Sequence, residues 1–300
     1  MLLSAPVDGF RLAYYARHGS GDPVVLLHGW PGDHGDWMVV AALLGDGVEV
    51  VVPDLRGFGA SDKHPEEPGR AYSARAQAAS VIGLIEELGL RQPVLAGYDV
   101  GSRVAQQVAR VAPDLVRALV LAPPLPGVGE RVLGERAQRE FWYQAFQQLP
   151  IADRIIDGDP AAVRAYLEHF WSHWSGPSFH PSDDELARLT ALYAAPGAFT
   201  ASIAWYRAGS GTVATSLAER APAPEDRIAV PTTVLWPEHD PLFPPAWSDR
   251  IPDFFSKATL QELAGAGHFS PLEAPRQFAG AITAALPARR TDGQGARGPA

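Results

Sequence analysis

The sequence predicts an α/β fold, a mostly parallel central sheet flanked by helices and interrupted by an inserted helical lid. Three observations predict it. Short, almost wholly apolar runs alternate with longer stretches of helical periodicity, which is the order of parallel strands joined by crossover helices. The block 124–224 then carries an aromatic-rich helical pattern without a convincing strand. Strand-like runs return after it, so the sheet is built from both flanks.

Each element has a local reason. The runs 23–27, 48–53 and 93–96 are almost wholly apolar, as strands covered on both faces are. Residues 74–88 and 102–112 carry apolar side chains at helical spacing, and 115–121 is a further strand. Pro123, Pro124 and Pro126 end that pattern. Helices are expected over 135–148, 161–174 and 183–193, strands over 232–236 and 258–263, and a last helix over 276–286. Residues 1–123 and 225–288 are thus expected to form one core and 124–224 the lid. The end 289–300, rich in Gly and Arg without apolar periodicity, is expected to be a flexible tail.

Composition excludes several classes. With no cysteine in 300 residues, disulfides, thiolate metal sites and a Cys nucleophile are absent. A formal charge of −9 repels nucleic-acid phosphates and anionic membranes, and no basic stripe offsets it. The apolar run 1–7 has no basic flank and meets Asp8 at once, and no stretch approaches the roughly 18 apolar residues of a membrane span. The expectation is a cytoplasmic protein without nucleic-acid or membrane partners.

Chemistry concentrates at strand ends. Val94 to Ser102 reads as a strand running through Gly97-Tyr98-Asp99-Val100-Gly101 straight into a helix. So tight a turn requires small residues two before and two after the central one, which it lifts above the sheet. Taken alone, Asp99 also fits an ordinary helix N-cap. His28-Gly29-Trp30-Pro31-Gly32 follows strand 23–27 as a Gly-rich turn able to aim backbone NH groups outward. Asp240 and His268 follow the strands 232–236 and 258–263. Glu238 and His239 compete with Asp240, which ranks first because Pro241 follows it in a turn.

On these residues the chain resembles the α/β-hydrolase superfamily over essentially 1–290, and its aspartate at the elbow resembles the epoxide hydrolase family, related to haloalkane and fluoroacetate dehalogenases. The resemblance implies Asp99 as nucleophile, Asp240 as the acid and His268 as the base, with the NH groups of Trp30 and Val100 as an oxyanion hole. The chemistry agrees: serine attacking a saturated carbon would leave an ether, whereas aspartate leaves a hydrolysable ester. Phe141 to Gln147 and Ala204 to Arg207 resemble the lid segments that hold two ring-opening tyrosines, implying Tyr143 and Tyr206, with Tyr166 and Tyr193 as substitutes. Trp37, Trp142, Phe146 and Trp205 are expected to line the substrate pocket, with Trp30, Phe141 and Phe243 as further candidates.

The function expected is cofactor-free hydrolysis of a small-molecule epoxide to a vicinal diol. The alternative is dehalogenation of small haloacids such as fluoroacetate, for which Arg103 matches one of two clamping arginines while Val100 stands where the other belongs. No metal is expected: His169 and His173 share a helical face but lack a ligand pattern around them. The oligomeric state stays open, a homodimer included.

Overall fold

The computed structural model describes residues 1–287, so the expected tail 289–300 lies outside the described residues. Eight strands form one sheet: β1 (Leu2–Leu3), β2 (Ala13–Arg17), β3 (Pro23–Leu27), β4 (Glu49–Pro53), β5 (Val94–Gly97), β6 (Ala118–Leu121), β7 (Thr232–Pro237) and β8 (Ala258–Leu263). Their order is β1-β2-β4-β3-β5-β6-β7-β8. From β4 to β8 neighbours run parallel, with Val24 registered against Val50 on one side and Val94 on the other. The interior strands β3, β5 and β6 are wholly buried, which explains their uninterrupted apolar sequences.

Two strands escape the sequence reading. β1 and β2 form an antiparallel edge on β4. β1 is two exposed residues, and only two of the five β2 residues are fully buried, so neither carries the continuous apolar run of an interior strand. β6 is shorter than 115–121 because Pro113–Leu115 first closes a 3-10 turn. The helix expected from 102 begins at Asp99 and runs to Val111.

Between β6 and β7 the chain is helical, and local caps explain where its helices begin. Pro160–Trp174 starts on a proline with the Asp159 carboxylate accepting from the NH groups of Ala161 and Ala162, and Asp183–Tyr193 starts on Ser182, whose hydroxyl accepts from Glu185 N. The expected helix 135–148 is two, Glu135–Glu140 and Trp142–Gln148, broken at Phe141 (φ −90°, ψ 11°). The insertion is welded to the sheet side by rings: Trp171 stacks on Phe269 at 3.9 Å with 3° between planes, a contact contributing about 0.5–1.5 kcal/mol beyond its burial.

The loops that leave the carboxyl ends of β3, β5, β7 and β8 carry Trp30, Asp99, Asp240 and His268 respectively. In a parallel sheet these ends lie along one edge, so four segments distant in sequence open onto one place.

Candidate active site

Asp99 is the first residue of its helix and has φ +48°, in the left-handed region that side chains disfavour by about 1–2 kcal/mol. The turn is kept tight by close approach. A β-carbon on Gly97 would fall 2.5 Å from the Gly101 carbonyl oxygen, and one on Gly101 would collide with the Leu27 carbonyl. The side chain does not cap the helix: the cap position is Tyr98, which makes no side-chain cap bond. Instead Asp99 Oδ1 accepts from Trp30 N at 2.7 Å, and its Oδ2 lies 3.2 Å from His268 Nε2.

His268 is buried and lies between two carboxylates. Its Nδ1 meets Asp240 Oδ2 at 2.9 Å, and Asp240 Oδ1 accepts from the NH groups of Leu242 and Phe243 at 2.8 and 3.3 Å. Burial alone would lower the imidazole pKa; the charges and hydrogen bonds of Asp240 and Asp99 outweigh it and raise it to about 10. Glu238 and His239 are exposed and lie beside each other at the surface, so Asp240 is the acid that reaches the histidine.

The carboxylate faces a cavity of about 40 Å³ whose walls include Val100, Phe141, Tyr143, Trp205, Tyr206 and Phe243. The rings of Tyr143 and Tyr206 are 5.6 Å apart and nearly perpendicular, at 87°. Both are buried, and burial, with the charge of Asp99, holds their phenols well above the ordinary pKa, so each is a neutral donor. Trp30 stacks parallel to Tyr143 at 5.9 Å, and its indole NH donates to Ser202 Oγ at 3.3 Å. Val100 N is in the first helical turn, where an NH has no partner within the helix.

A family model described as alpha/beta hydrolase fold matches residues 22–275. This chain belongs to the α/β-hydrolase fold family. It is 28% identical over 284 residues to a soluble epoxide hydrolase of Corynebacterium sp. (strain C12), covering 91% of this chain and 92% of that protein. It is 33% identical over 199 residues to a fluoroacetate dehalogenase of a Burkholderia species, covering 65% of this chain and 64% of the other. Among solved structures it is similar to the epoxide hydrolase CorEH without ligand, at TM-score 0.79 and 25% identity, with 93% and 96% of the two chains covered. The protein is therefore a hydrolase of the α/β family, and no helix among the described residues is long and apolar enough to cross a membrane.

The α/β hydrolase corrects three of the four expected pocket aromatics. Only Trp205 lines the cavity. Trp37 lies beneath the Trp30 loop, its ring 5.3 Å from Phe278 and 6.2 Å from Tyr98. Trp142 is 41% exposed on the outside of the insertion, stacked on Phe170, and Phe146 leans against it and Tyr166. The reason is helical phase: Trp142 and Tyr143 are adjacent, so when Tyr143 points inward Trp142 points out, and Phe146, one turn on, follows Trp142. The break at Phe141 turns that ring to the cavity instead, against Phe243 at 5.5 Å.

The substitute tyrosines have other tasks. The Tyr193 hydroxyl accepts from Gly32 N at 2.9 Å and donates to Gly32 O at 2.8 Å, two residues from Trp30. Tyr166 accepts from Gln147 Nε2 at 3.3 Å. Sequence reasoning also missed three supports. Arg188, on the helix with Tyr193, grips buried Asp33 bidentately at 2.6 and 2.8 Å. Glu273 accepts from the NH groups of Gly267, Gly176 and Phe269 and so shapes the His268 loop. The Tyr98 hydroxyl donates to buried Asp36 at 2.5 Å. A Glu five residues after His268 in an otherwise apolar stretch was a readable signal; Arg188 and Asp33, 155 residues apart, left none.

Asp33, His34 and Asp54 cluster closely enough to suggest a metal, but their oxygens are already engaged, Asp33 by Arg188 and Asp54 by His34 and Ala60 N. His173 pairs with Glu140 at 2.7 Å, outside that cluster.

Proposed function

We propose that this hydrolase opens an epoxide to a vicinal diol through a covalent ester on Asp99. The observation that carries the reading is a pair of buried phenols, Tyr143 and Tyr206, lining the same cavity as a carboxylate held on a strained elbow. A ring oxygen that leaves carbon as an alkoxide needs hydrogen-bond donors and then a proton, and phenols offer both. The helical stretch 124–224 acts as the lid that brings those phenols over the core formed by 1–123 and 225–288.

In the first step Asp99 Oδ2 bonds to a ring carbon, the carbon–oxygen bond of the ring breaks, and the alkoxide, held by both phenols, takes up through them the proton His268 carries at rest. Esterified Asp99 has no charge, so one of the two carboxylates that hold His268 protonated is gone and the imidazole stays neutral. Oriented by Asp240, it takes a proton from a water that attacks the Asp99 carbonyl carbon, while the NH groups of Trp30 and Val100 receive the oxyanion. When the adduct collapses, its acid proton goes to the departing diol oxygen. Asp99 ends ionised and His268 protonated, as they began.

A single turnover in water enriched in heavy oxygen tests the route: the label is expected in the Asp99 carboxylate by peptide mass analysis. The second reading, haloacid dehalogenation by the same carboxylate, is favoured by the relative named fluoroacetate dehalogenase. Against it, the Arg103 guanidinium is engaged by Glu219 at 3.0 Å and Val100 adds no second cation. Supplied with a simple aryl epoxide and with fluoroacetate, the protein is expected to give diol and no fluoride; fluoride without diol reverses the choice.

A further inference from the structure

A recess of about 300 Å³ adjoins the catalytic cavity, sharing Arg103, Trp205 and Gly211 with its wall. Its charged residues are Arg103, Arg110, Arg220 and Glu219, three guanidinium groups against one carboxylate, in a chain whose net charge is −9. Glu219 is committed to Arg103 and also accepts from Gly127 N. Arg110 makes no salt bridge among the described residues, Glu219 being its one acidic neighbour, and Arg220 Nη1 donates only to the carbonyls of Leu217 and Glu219. Partial desolvation and the neighbouring charge of Arg103 push the Arg110 guanidinium below its ordinary pKa, a setting that an incoming anion relieves.

We infer that this recess is an anion subsite in which Arg110 and Arg220 hold a carboxylate of the substrate, so that the favoured epoxides carry a negative charge away from the ring. The inference rests on the epoxide reading. Asp99 and Arg110 stand on one helix, about 16 Å apart in axial rise, and helical side chains lean towards the N-terminus. The anion therefore sits on the order of 10 Å from the reacting carbon. Arg103, paired across the wall to Glu219, separates the two spaces and turns no free charge onto the ring carbon. The guanidinium fork suits a carboxylate held in two parallel hydrogen bonds. The one guanidinium on the wall of the reacting cavity, Arg103, is already paired to Glu219, so charge selects the far end of the molecule and not the ring.

The test uses the full-length protein with para-glycidyloxybenzoate, its uncharged carboxamide and the corresponding diol products. Calorimetric binding of the diols judges the subsite without turnover. The acid is expected to bind at least fivefold tighter than the amide, and the difference is expected to vanish in an Arg110→Gln/Arg220→Gln variant and to shrink in about 0.5 M salt, where screening is short-ranged. Equal affinities for acid and amide, or a difference that survives the double variant, overturn the inference. Diol formation from the amide epoxide judges the chemistry separately. Binding discrimination without diol formation retires the epoxide reading and leaves the anion subsite, whereas diol formation with equal affinities does the reverse.

Discussion

On the sheet side of the cavity, Asp99 is held by backbone: a left-handed residue between glycines whose β-carbons would strike neighbouring carbonyls, with its carboxylate bonded to Trp30 N and His268. On the insertion side, Tyr143 and Tyr206 are held by rings, Tyr143 among Trp30, Phe170, Trp174 and Tyr206 at centroid distances of 5.0 to 5.9 Å. Backbone constraint fixes one atom in one place. Ring packing fixes a surface and tolerates adjustment, so Asp99 is built to be invariant in position while the side that carries the tyrosines can be retuned.

Substitutions can break that comparison, beginning where the effect is largest. Asp99→Ala removes the proposed nucleophile and is expected to lower kcat by about 10⁴-fold or more with no ester detectable by intact mass. His268→Gln removes the base and the resting proton together; with the alkoxide protonated from solvent instead, the ester should still form and persist, so the protein should gain one substrate mass, and steady-state turnover should fall by about 10³-fold. The same variant tests the protonation argument. His268 is raised to about 10 when folded, above the ordinary value near ~6.5, so its contribution to stability is full below the lower value and lost as pH rises through the upper one. Denaturant unfolding of the wild type relative to His268→Gln should show a stability difference that declines across that window; a difference that grows with pH would contradict it.

On the insertion side the effects should be smaller and shared. Tyr143→Phe and Tyr206→Phe are each expected to slow ester formation by about 10–10²-fold, and the double variant by more than either, measured by single-turnover kinetics. Tyr193→Phe leaves Gly32 N without its partner, which is expected to destabilise the fold by about 1–3 kcal/mol and to lower turnover several-fold by loosening the Trp30 loop. Trp142→Ala, on the exposed face, should change turnover by less than about twofold. A large loss there would mean that the outer face of the insertion matters to catalysis and would weaken the contrast between the two sides.

Legibility in the sequence divides along the same line. The elbow, the Trp30 loop, Asp240 and His268 were readable because backbone-imposed chemistry leaves fixed residue types at fixed places beside strands. Interior strands were readable because burial on both faces forces an apolar run; β1 and β2, half-exposed at the edge, had no such mark. The pocket aromatics were not readable residue by residue. Tyr143 was found through resemblance, but whether Trp142, Tyr143 or Phe146 faces inward depends on a helix break at Phe141 that no proline or glycine announces. The grip of Arg188 on Asp33 and of Tyr193 on Gly32 is a product of tertiary folding alone.

That grip makes a mechanical interlock. The helix Asp183–Tyr193 belongs to the segment between β6 and β7, yet through Gly32 and Asp33 it holds the loop whose Trp30 NH bonds the Asp99 carboxylate, so neither can shift without the other. A chimera that receives another protein's insertion would inherit its pocket but lose this coupling unless the arginine and the tyrosine travel with it.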